Sequence, residues 1–369
     1  MIPVRKAEIA VIGGGPAGLC AAAMASCLGA RVALIDDGEI LGGQLTKQTH
    51  QFFGSQDQNA GIRGIDIATL LSDEIRQCDR VEVFLNASVT GLYEDRVITV
   101  VQEDRFIPVE AQRTIMATGA TENMLAFPNN DLPGIYGAGA VQTLMNVHGV
   151  IPGQCVLMIG AGNIGLIVSY QLMQAGVSVE AVVEALPQIG GYWVHASKIR
   201  RCGVPIYTRH TIKEAHGETC VQGATIWKLD EHGDGIPGTD REIAADTICL
   251  AVGLSPLADL LWQTGCEMTY VPALGGWVPT RDSKLETTAR GIYIAGDVAG
   301  IEEASTAMLE GRLAGLEAAV SLGYESADTE GLRSSFLAQL GELRGNPSSE
   351  ELKKGLGKIT IRSEREPRC

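Results

Sequence analysis

Ala7-Glu8-Ile9-Ala10-Val11-Ile12-Gly13-Gly14-Gly15-Pro16-Ala17-Gly18 stands almost at the start of the 369-residue chain. A short apolar run rich in β-branched residues ends in Gly13-x-Gly15-x-x-Gly18, and an alanine-rich helical pattern follows. A buried parallel strand, a tight turn and a helix in that order open a dinucleotide-binding βαβ unit. Gly13 permits the turn, Gly15 lets the backbone approach a pyrophosphate, and Gly18 lets the helix pack closely on the strand. Pro16 and Ala17 begin the helix, whose unpaired N–H groups and positive dipole end face the phosphates. A glycine turn alone is weak evidence. Here the next strand, Arg31-Val32-Ala33-Leu34-Ile35, ends in Asp36, eighteen residues past Gly18, where a ribose hydroxyl needs an acceptor.

The length suggests two or three domains with ample cores. A formal net charge of −15 and a pI near 4.9 argue against nucleic acid or an anionic membrane as the main partner. No apolar run reaches the roughly 18 residues of a membrane span. Arg5 and Lys6 before an apolar segment mimic a secretion signal, but the glycines and Pro16 interrupt its core. The nine cysteines form no Cys-x-x-Cys pair and show no zinc or iron–sulfur spacing. An odd, unpaired set fits a reducing cytoplasm, and no metal site is expected.

After Asp36 comes Gly42-Gly43-Gln44, suited to a chain lying against a flat ring system, then a polar segment to Asn59. Gly61 to Cys78 reads as a helix and Val81–Phe84 as the third parallel strand. Three alternating segments, Ala87–Tyr93, Arg96–Gln102 and Phe106–Glu110, read as an antiparallel meander with turns at Glu94-Asp95 and Glu103-Asp104. A fourth buried strand then stops at Ala117-Thr118-Gly119.

From Val156 the pattern starts again. The strand Val156–Ile159 leads into Gly160-Ala161-Gly162-Asn163-Ile164-Gly165, and the next strand, Val177–Val183, is closed by Glu184, one residue later than in the first unit. Alternating segments run from Ile206 to Ile243, and Thr247–Gly253 parallels the strand that ends at Ala117-Thr118-Gly119. One architecture is carried twice, and two dinucleotide sites explain that economically. Finally Ile292-Tyr293-Ile294-Ala295-Gly296-Asp297 delivers an acid at the carboxyl end of a buried strand, with a helix from about Glu302 to Leu322 after it.

Together these residues resemble the two-dinucleotide-binding-domain flavoproteins that include thioredoxin reductase-like enzymes, from Lys6 to about Gly323. The resemblance implies an α/β fold of two Rossmann-like domains of glutathione/thioredoxin reductase type, each a parallel sheet with an antiparallel meander. It implies an FAD-binding domain at 1–121 plus 252–328 and an NAD-binding domain at 122–251, with a polar C-terminal tail at 329–369. Gly13, Gly15, Pro16, Ala17, Gly18, Asp36, Gly42, Gly43, Gln44, Ala117, Thr118, Gly119, Gly296 and Asp297 would hold FAD. Gly160, Gly162, Asn163, Ile164, Gly165, Glu184 and Gly253 would hold NAD(H). A narrower likeness, in Leu132–Ile135, Gly139-Ala140, Asn146, His148–Val150, Pro152-Gly153 and Val179–Ala185, is to a subgroup. That subgroup comprises sarcosine oxidase alpha, hydrogen cyanide synthase B, and opine and D-hydroxyproline dehydrogenase subunits. It implies partners in a hetero-oligomer, an amino-acid-oxidase-type flavoprotein and a ferredoxin-like protein, and oxidation of a secondary amine or amino acid.

Flavin chemistry needs orientation and electrostatics from the protein, not a covalent nucleophile. No acid–base residue is therefore assigned; Lys47 and His50, beyond the Gly-Gly-Gln loop, could lie near the ring or simply face solvent. His148 and His195 read as packing or surface histidines, and Trp193 and Trp227 as core or interface residues. Glu184 would favour NAD over NADP by repelling a 2′-phosphate, whereas Arg200 and Arg201 could instead reach one. Three readings stay open: a dehydrogenase subunit, a stand-alone NADH:acceptor reductase, and a cofactor-bearing scaffold with a vestigial second site. The tail, with Lys353, Lys354, Lys358, Arg362, Arg365 and Arg368, is expected to be unable to order itself without a partner.

Overall fold

The computed structural model describes residues 4–52, 59–93, 95–346 and 349–361. It divides into two compact units, Met1–Thr121 with Ser255–Cys369, and Glu122–Leu254. The second crossing falls at 254/255, where the sequence reading puts it at 251/252.

In the first unit the strands Val81–Phe84, Val32–Ile35, Arg5–Ile12 and Arg105–Met116 lie side by side and parallel. Ile9 to Ile12 are buried without alternation, as expected of a strand covered on both faces. The sequence reading splits Arg105–Met116 into the last arm of the meander and a separate fourth strand. It is one 12-residue strand. Its first half pairs antiparallel with Val97–Gln102, while Thr114–Met116 pair parallel with Ile292–Ile294. One long strand thus serves both hairpin and parallel sheet, because each of its halves finds a different neighbour on the same edge. Helices Pro16–Cys27 and Ala304–Val320 cross at close range: a Cβ on Gly311 or Gly315 would lie 2.1 or 2.3 Å from the carbonyl oxygens of Ala17 or Ala21. Most residues of both helices are buried for that reason.

The expected free tail is corrected by the structure. Thr329–Leu343 and Glu350–Ile359 are helices. Phe336 and Leu340 are buried in the core around Pro16–Cys27 and Ala304–Val320, with Leu332 and Leu343 packed against it. Ile359 is buried with Val271, Leu274 and Val278. Apolar residues three and four apart recruit the segment despite its polar composition, and Arg333 and Arg344 pair with buried Glu317, Glu302 and Glu310. Arg362, Arg365 and Arg368 lie outside the described residues, as does Glu94.

The second unit repeats the plan. Its parallel sheet runs Ile206–Thr208, Ser178–Glu184, Cys155–Ile159, Thr247–Leu250, Ile135–Gly137. Ile206–Thr208, read from sequence as part of the alternating segments, is the third parallel strand, and the antiparallel sheet is His210–His216, Gly223–Lys228 and Arg241–Ala244. Glu122 caps the helix Ala138–Asn146, accepting from the Gly139 and Ala140 N–H groups at 2.6 and 3.1 Å. Among the described residues, no helix is long and apolar enough to cross a membrane, and no cluster of His, Cys, Asp or Glu could hold a metal ion.

Candidate functional sites

Backbone-to-backbone crowding explains the first glycine loop. A Cβ on Gly13 would sit 2.2 Å from the Ala117 carbonyl oxygen, and one on Gly18 would sit 1.8 Å from that of Gly13. Gly13 also takes φ +104°, a conformation that side chains disfavour. Gly15 is different: its Cβ would meet only Gly43 Cα, 3.9 Å away, so its small size leaves open space in front of the helix N-terminus at Pro16. Asp36 clamps the loop, accepting from the Gly14 N–H at 2.5 Å and the Gly38 N–H at 2.9 Å. Burial pushes its carboxyl up, against those two bonds. Gly42 donates to the Gly14 carbonyl at 2.8 Å, folding the Gly42-Gly43-Gln44 stretch back over the loop. Thr118 Oγ1 donates to the Leu257 carbonyl at 2.7 Å, fixing the Ala117-Thr118-Gly119 turn.

Gly296 and Asp297 follow strand Ile292–Ile294 on the same carboxyl-end side of this sheet. The Gly296 N–H donates to Glu310 Oε2 at 3.0 Å. Burial raises the Asp297 carboxyl to about 6. Its one donor among the described residues is the Glu302 N–H, at a long 3.4 Å, so the carboxylate keeps acceptor capacity for something else.

The second loop is built the same way. Cβ atoms on Gly160 and Gly165 would lie 2.1 Å from the carbonyl oxygens of Ala251 and Gly160, and Gly162 has open space before the helix Asn163–Gln174. Glu184 accepts from the Ala161 N–H at 2.8 Å and the Leu186 N–H at 2.9 Å, as Asp36 does from Gly14 and Gly38. Register explains its late position. Ile35 pairs with Ile12 and Val183 with Ile159, so Asp36 and Glu184 are equivalent; a bulge between Val179 and Ala181 absorbs the extra residue. Gly190-Gly191, unremarked in the sequence reading, follows Glu184 at the same offset as Gly42-Gly43 follows Asp36. Gly191 donates to the Ala161 carbonyl at 2.9 Å, a contact like that of Gly42 with Gly14 but made by the second glycine of the pair, and Asn163 Oδ1 accepts from the Tyr192 N–H at 2.8 Å. The signal for that pair was the repeat itself. Gly253, at φ +108°, lies three residues beyond the strand Thr247–Leu250 and its carbonyl accepts from the Asn123 N–H at 3.0 Å.

Lys47 ends the short helix Gly43–Lys47 and is half-buried, and His50 stacks on Phe52 at 6.0 Å. Sequence reasoning missed Gln48 beside them, whose buried Oε1 has no donor among the described residues. In the second unit, His195 is buried, and burial followed by Lys198 depresses its imidazole. His148 is exposed. Trp227 is half-buried under Gly235, whereas Trp193 is 73 % exposed and is no core residue, because it opens its helix on the solvent side. Arg200 and Arg201 are exposed at the far end of the helix Trp193–Arg201. At 1.5 Å per residue they stand roughly 12 Å along the axis from the end beside Gly191.

The model of the pyridine nucleotide-disulphide oxidoreductase family matches residues 7–311. The chain belongs to that family. The oxidoreductase is 28% identical to an opine oxidase subunit from Agrobacterium tumefaciens, over 87% of this chain and 67% of the relative. It is 30% identical to the sarcosine oxidase alpha subunit of Rhizobium meliloti, over 70% of this chain but only 25% of that one. Among solved structures it is similar to L-proline dehydrogenase from P. horikoshii, with a TM-score of 0.72 at 23% identity, covering 93% of this chain and 60% of that one. Similarity to T. acidophilum thioredoxin reductase gives a TM-score of 0.70 at 21% identity, over 86% and 99% of the two chains. The fold is that of the two-domain dinucleotide-binding flavoenzymes. The protein is an FAD/NAD(P)-dependent oxidoreductase, with FAD and NAD(P)H as its cofactors.

The residues present fit dinucleotides at both loops. Each has open space in front of a helix N-terminus without a side-chain cap, and each has an acid anchored at the end of the second strand. The sequence of this oxidoreductase contains no Cys-x-x-Cys. The eight cysteines among the described residues are all free. Burial raises the thiols of Cys20 and Cys155 to about 11 and Cys249 to about 12, and raises Cys266 as well. Groups shifted upward stay protonated at neutral pH and are poor nucleophiles. Reduction of the flavin by NADH should therefore survive alkylation of every accessible thiol by iodoacetamide. Loss of that step in a protein that keeps its fold by circular dichroism would show a thiol in the path.

Proposed function

We propose that the protein is the FAD- and NAD-binding subunit of a dehydrogenase that oxidises a secondary amine or amino acid of sarcosine, proline or opine type. The observation carrying this reading is the pair of fully built loops, Gly13–Gly18 with Asp36 and Gly160–Gly165 with Glu184, in a chain with no Cys-x-x-Cys. The named relatives add the substrate class: they are subunits of opine and sarcosine oxidases.

In this reading the 1–121 and 255–361 unit holds FAD. Helix Pro16–Cys27 faces the pyrophosphate, Asp36 the adenine ribose and Asp297 the ribityl chain, with Gly42-Gly43-Gln44 lying along the ring. Flavin exchanges a hydride with nicotinamide and releases electrons singly or in pairs, which suits it to join NAD(H) to another redox protein. The 122–254 unit takes NAD(H) at Gly160, Gly162, Asn163, Ile164 and Gly165, beside Gly253. Partner subunits, an amino-acid-oxidase-type flavoprotein and a ferredoxin-like protein, supply the amine site. The chain acts in the cytoplasm.

Glu184 is held by two N–H groups at the ribose position, where a 2′-phosphate would meet a fixed carboxylate. Arg200 and Arg201 are too far along their helix to offset that repulsion. NADH should bleach the flavin at least about tenfold faster than NADPH at equal subsaturating concentration, the effect of ~1.4 kcal/mol. Stopped-flow absorbance measures this. Faster bleaching by NADPH would overturn the specificity, and bleaching by neither would make the second site vestigial.

Co-expression with the neighbouring genes tests the subunit reading. Co-purification of a second flavoprotein, with amine-dependent flavin reduction only in the complex, is the expected result. A chain that co-purifies with nothing and turns over NADH at full rate alone would instead be a stand-alone NADH:acceptor reductase.

A further inference from the structure

Behind the Gly296–Asp297 turn lies a buried network of charges. Glu310, on helix Ala304–Val320, accepts from the Gly296 N–H through Oε2, while its Oε1 takes Arg281 Nη2 at 3.0 Å and Arg344 Nη2 at 2.7 Å. Arg344, at the C-terminal end of helix Thr329–Leu343, also grips Glu302 with both arms of its guanidinium, at 3.0 and 2.6 Å. Glu302 in turn offers its backbone N–H to Asp297. Every ion pair here is shielded: the side chains of Arg281, Glu310 and Glu302 are 5%, 3% and 8% exposed, and that of Arg344 is 17%.

We propose that Arg344 is a positioning residue for the flavin: by binding Glu302 and Glu310 together, it sets where the Gly296–Asp297 turn stands and removes negative charge from the N-terminus of helix Ala304–Val320. This rests on the reading that Asp297 and that helix face FAD. Three acids, Asp297, Glu302 and Glu310, surround the turn with two arginines, Arg281 and Arg344, to balance them. Arg281 does not replace Arg344, because its one ion pair among the described residues is with Glu310. Burial works against ionising Glu310, yet the two arginines hold its carboxyl below the ordinary range. Losing Arg344 would strand the Glu302 carboxylate in a site nearly closed to water, beside the positive end of a helix dipole meant for the electron-rich part of the ring. The segment that reads as an unordered tail therefore reaches the cofactor site from behind.

A clamp that only held the C-terminal helices would give the same contacts, so the test must read charge at the flavin. Arg344→Gln, Arg344→Lys and Glu302→Gln are compared with wild type for FAD dissociation constant, flavin reduction potential, and melting temperature with and without FAD. Arg344→Gln should weaken FAD about tenfold and lower the potential, and Arg344→Lys should recover part of both. Glu302→Gln leaves no buried acid unpaired and should fold; it should raise the potential. Shifts of opposite sign are the signature of charge. If Arg344→Gln does not fold, Glu302→Gln decides alone. Wild-type affinity and potential in the variants that fold, with only a lower melting temperature, would overturn the inference and leave a structural clamp. A wild type that takes up no FAD would overturn the flavin reading itself, which is a different result.

Discussion

Asp297→Ala protein should purify nearly colourless. In the reading above its carboxylate takes a ribityl hydroxyl, and a hydrogen bond to a charged acceptor contributes about 1.5–3 kcal/mol, or roughly a 10–150-fold loss of FAD affinity. Titration of stripped apoprotein with FAD measures the change directly, and wild-type affinity would remove Asp297 from the site. The same residue sets a pH signature. Burial lifts it from the ordinary 3.8 to about 6 in the folded apoprotein. Folding therefore takes up a proton between those values: the stability it contributes is fully present below 3.8 and is lost as pH rises through about 6. FAD, which uses the ionised acceptor, should show the reverse trend, with affinity falling as pH drops through about 6. Asp297→Ala should flatten both curves in that window, with Glu302 and Glu310 as the other acids facing the turn.

Gly162→Asp should abolish flavin reduction by NADH while leaving the bound FAD in place. The position is permissive to the fold, since a Cβ there meets nothing within 4 Å and φ is −71°. As the N-cap of helix Asn163–Gln174 it would even accept an Asp side chain well, adding roughly a few tenths of a kcal/mol of helix stability. The added carboxylate would stand where the proposed pyrophosphate approaches, and like charges in that space exclude each other. Stopped-flow bleaching by NADH should slow by at least about a hundredfold, the effect of some 2.7 kcal/mol, with yellow colour and melting temperature preserved. Unchanged bleaching would show that nicotinamide dinucleotide enters elsewhere. By contrast Gly165, whose Cβ would lie 2.1 Å from a backbone oxygen, cannot separate binding from folding in this way.

Both glycine loops were legible from residue spacing alone. A turn whose glycines must touch neighbouring carbonyl oxygens leaves a short local pattern, Gly13-x-Gly15-x-x-Gly18 and Gly160-x-Gly162-x-x-Gly165, and the acids after the second strands complete it. The doubled architecture was likewise open to reading, because it depends on identity and order along the chain. Whether Glu184 matched Asp36 was not, since one residue of delay disappears only when the bulge at Val179/Ala181 restores the register. Nor was the single strand Arg105–Met116 apparent, because burial changes halfway along it as its partner changes. The C-terminal helices were the largest gap. Their ordering depends on a few apolar residues meeting a core built from the other end of the chain, and on Arg344 meeting Glu302 and Glu310, 42 and 34 residues earlier. Local spacing records what a backbone must do within one turn. Charges that find one another only after the chain has folded leave no such period, and here the tertiary structure alone brought them together.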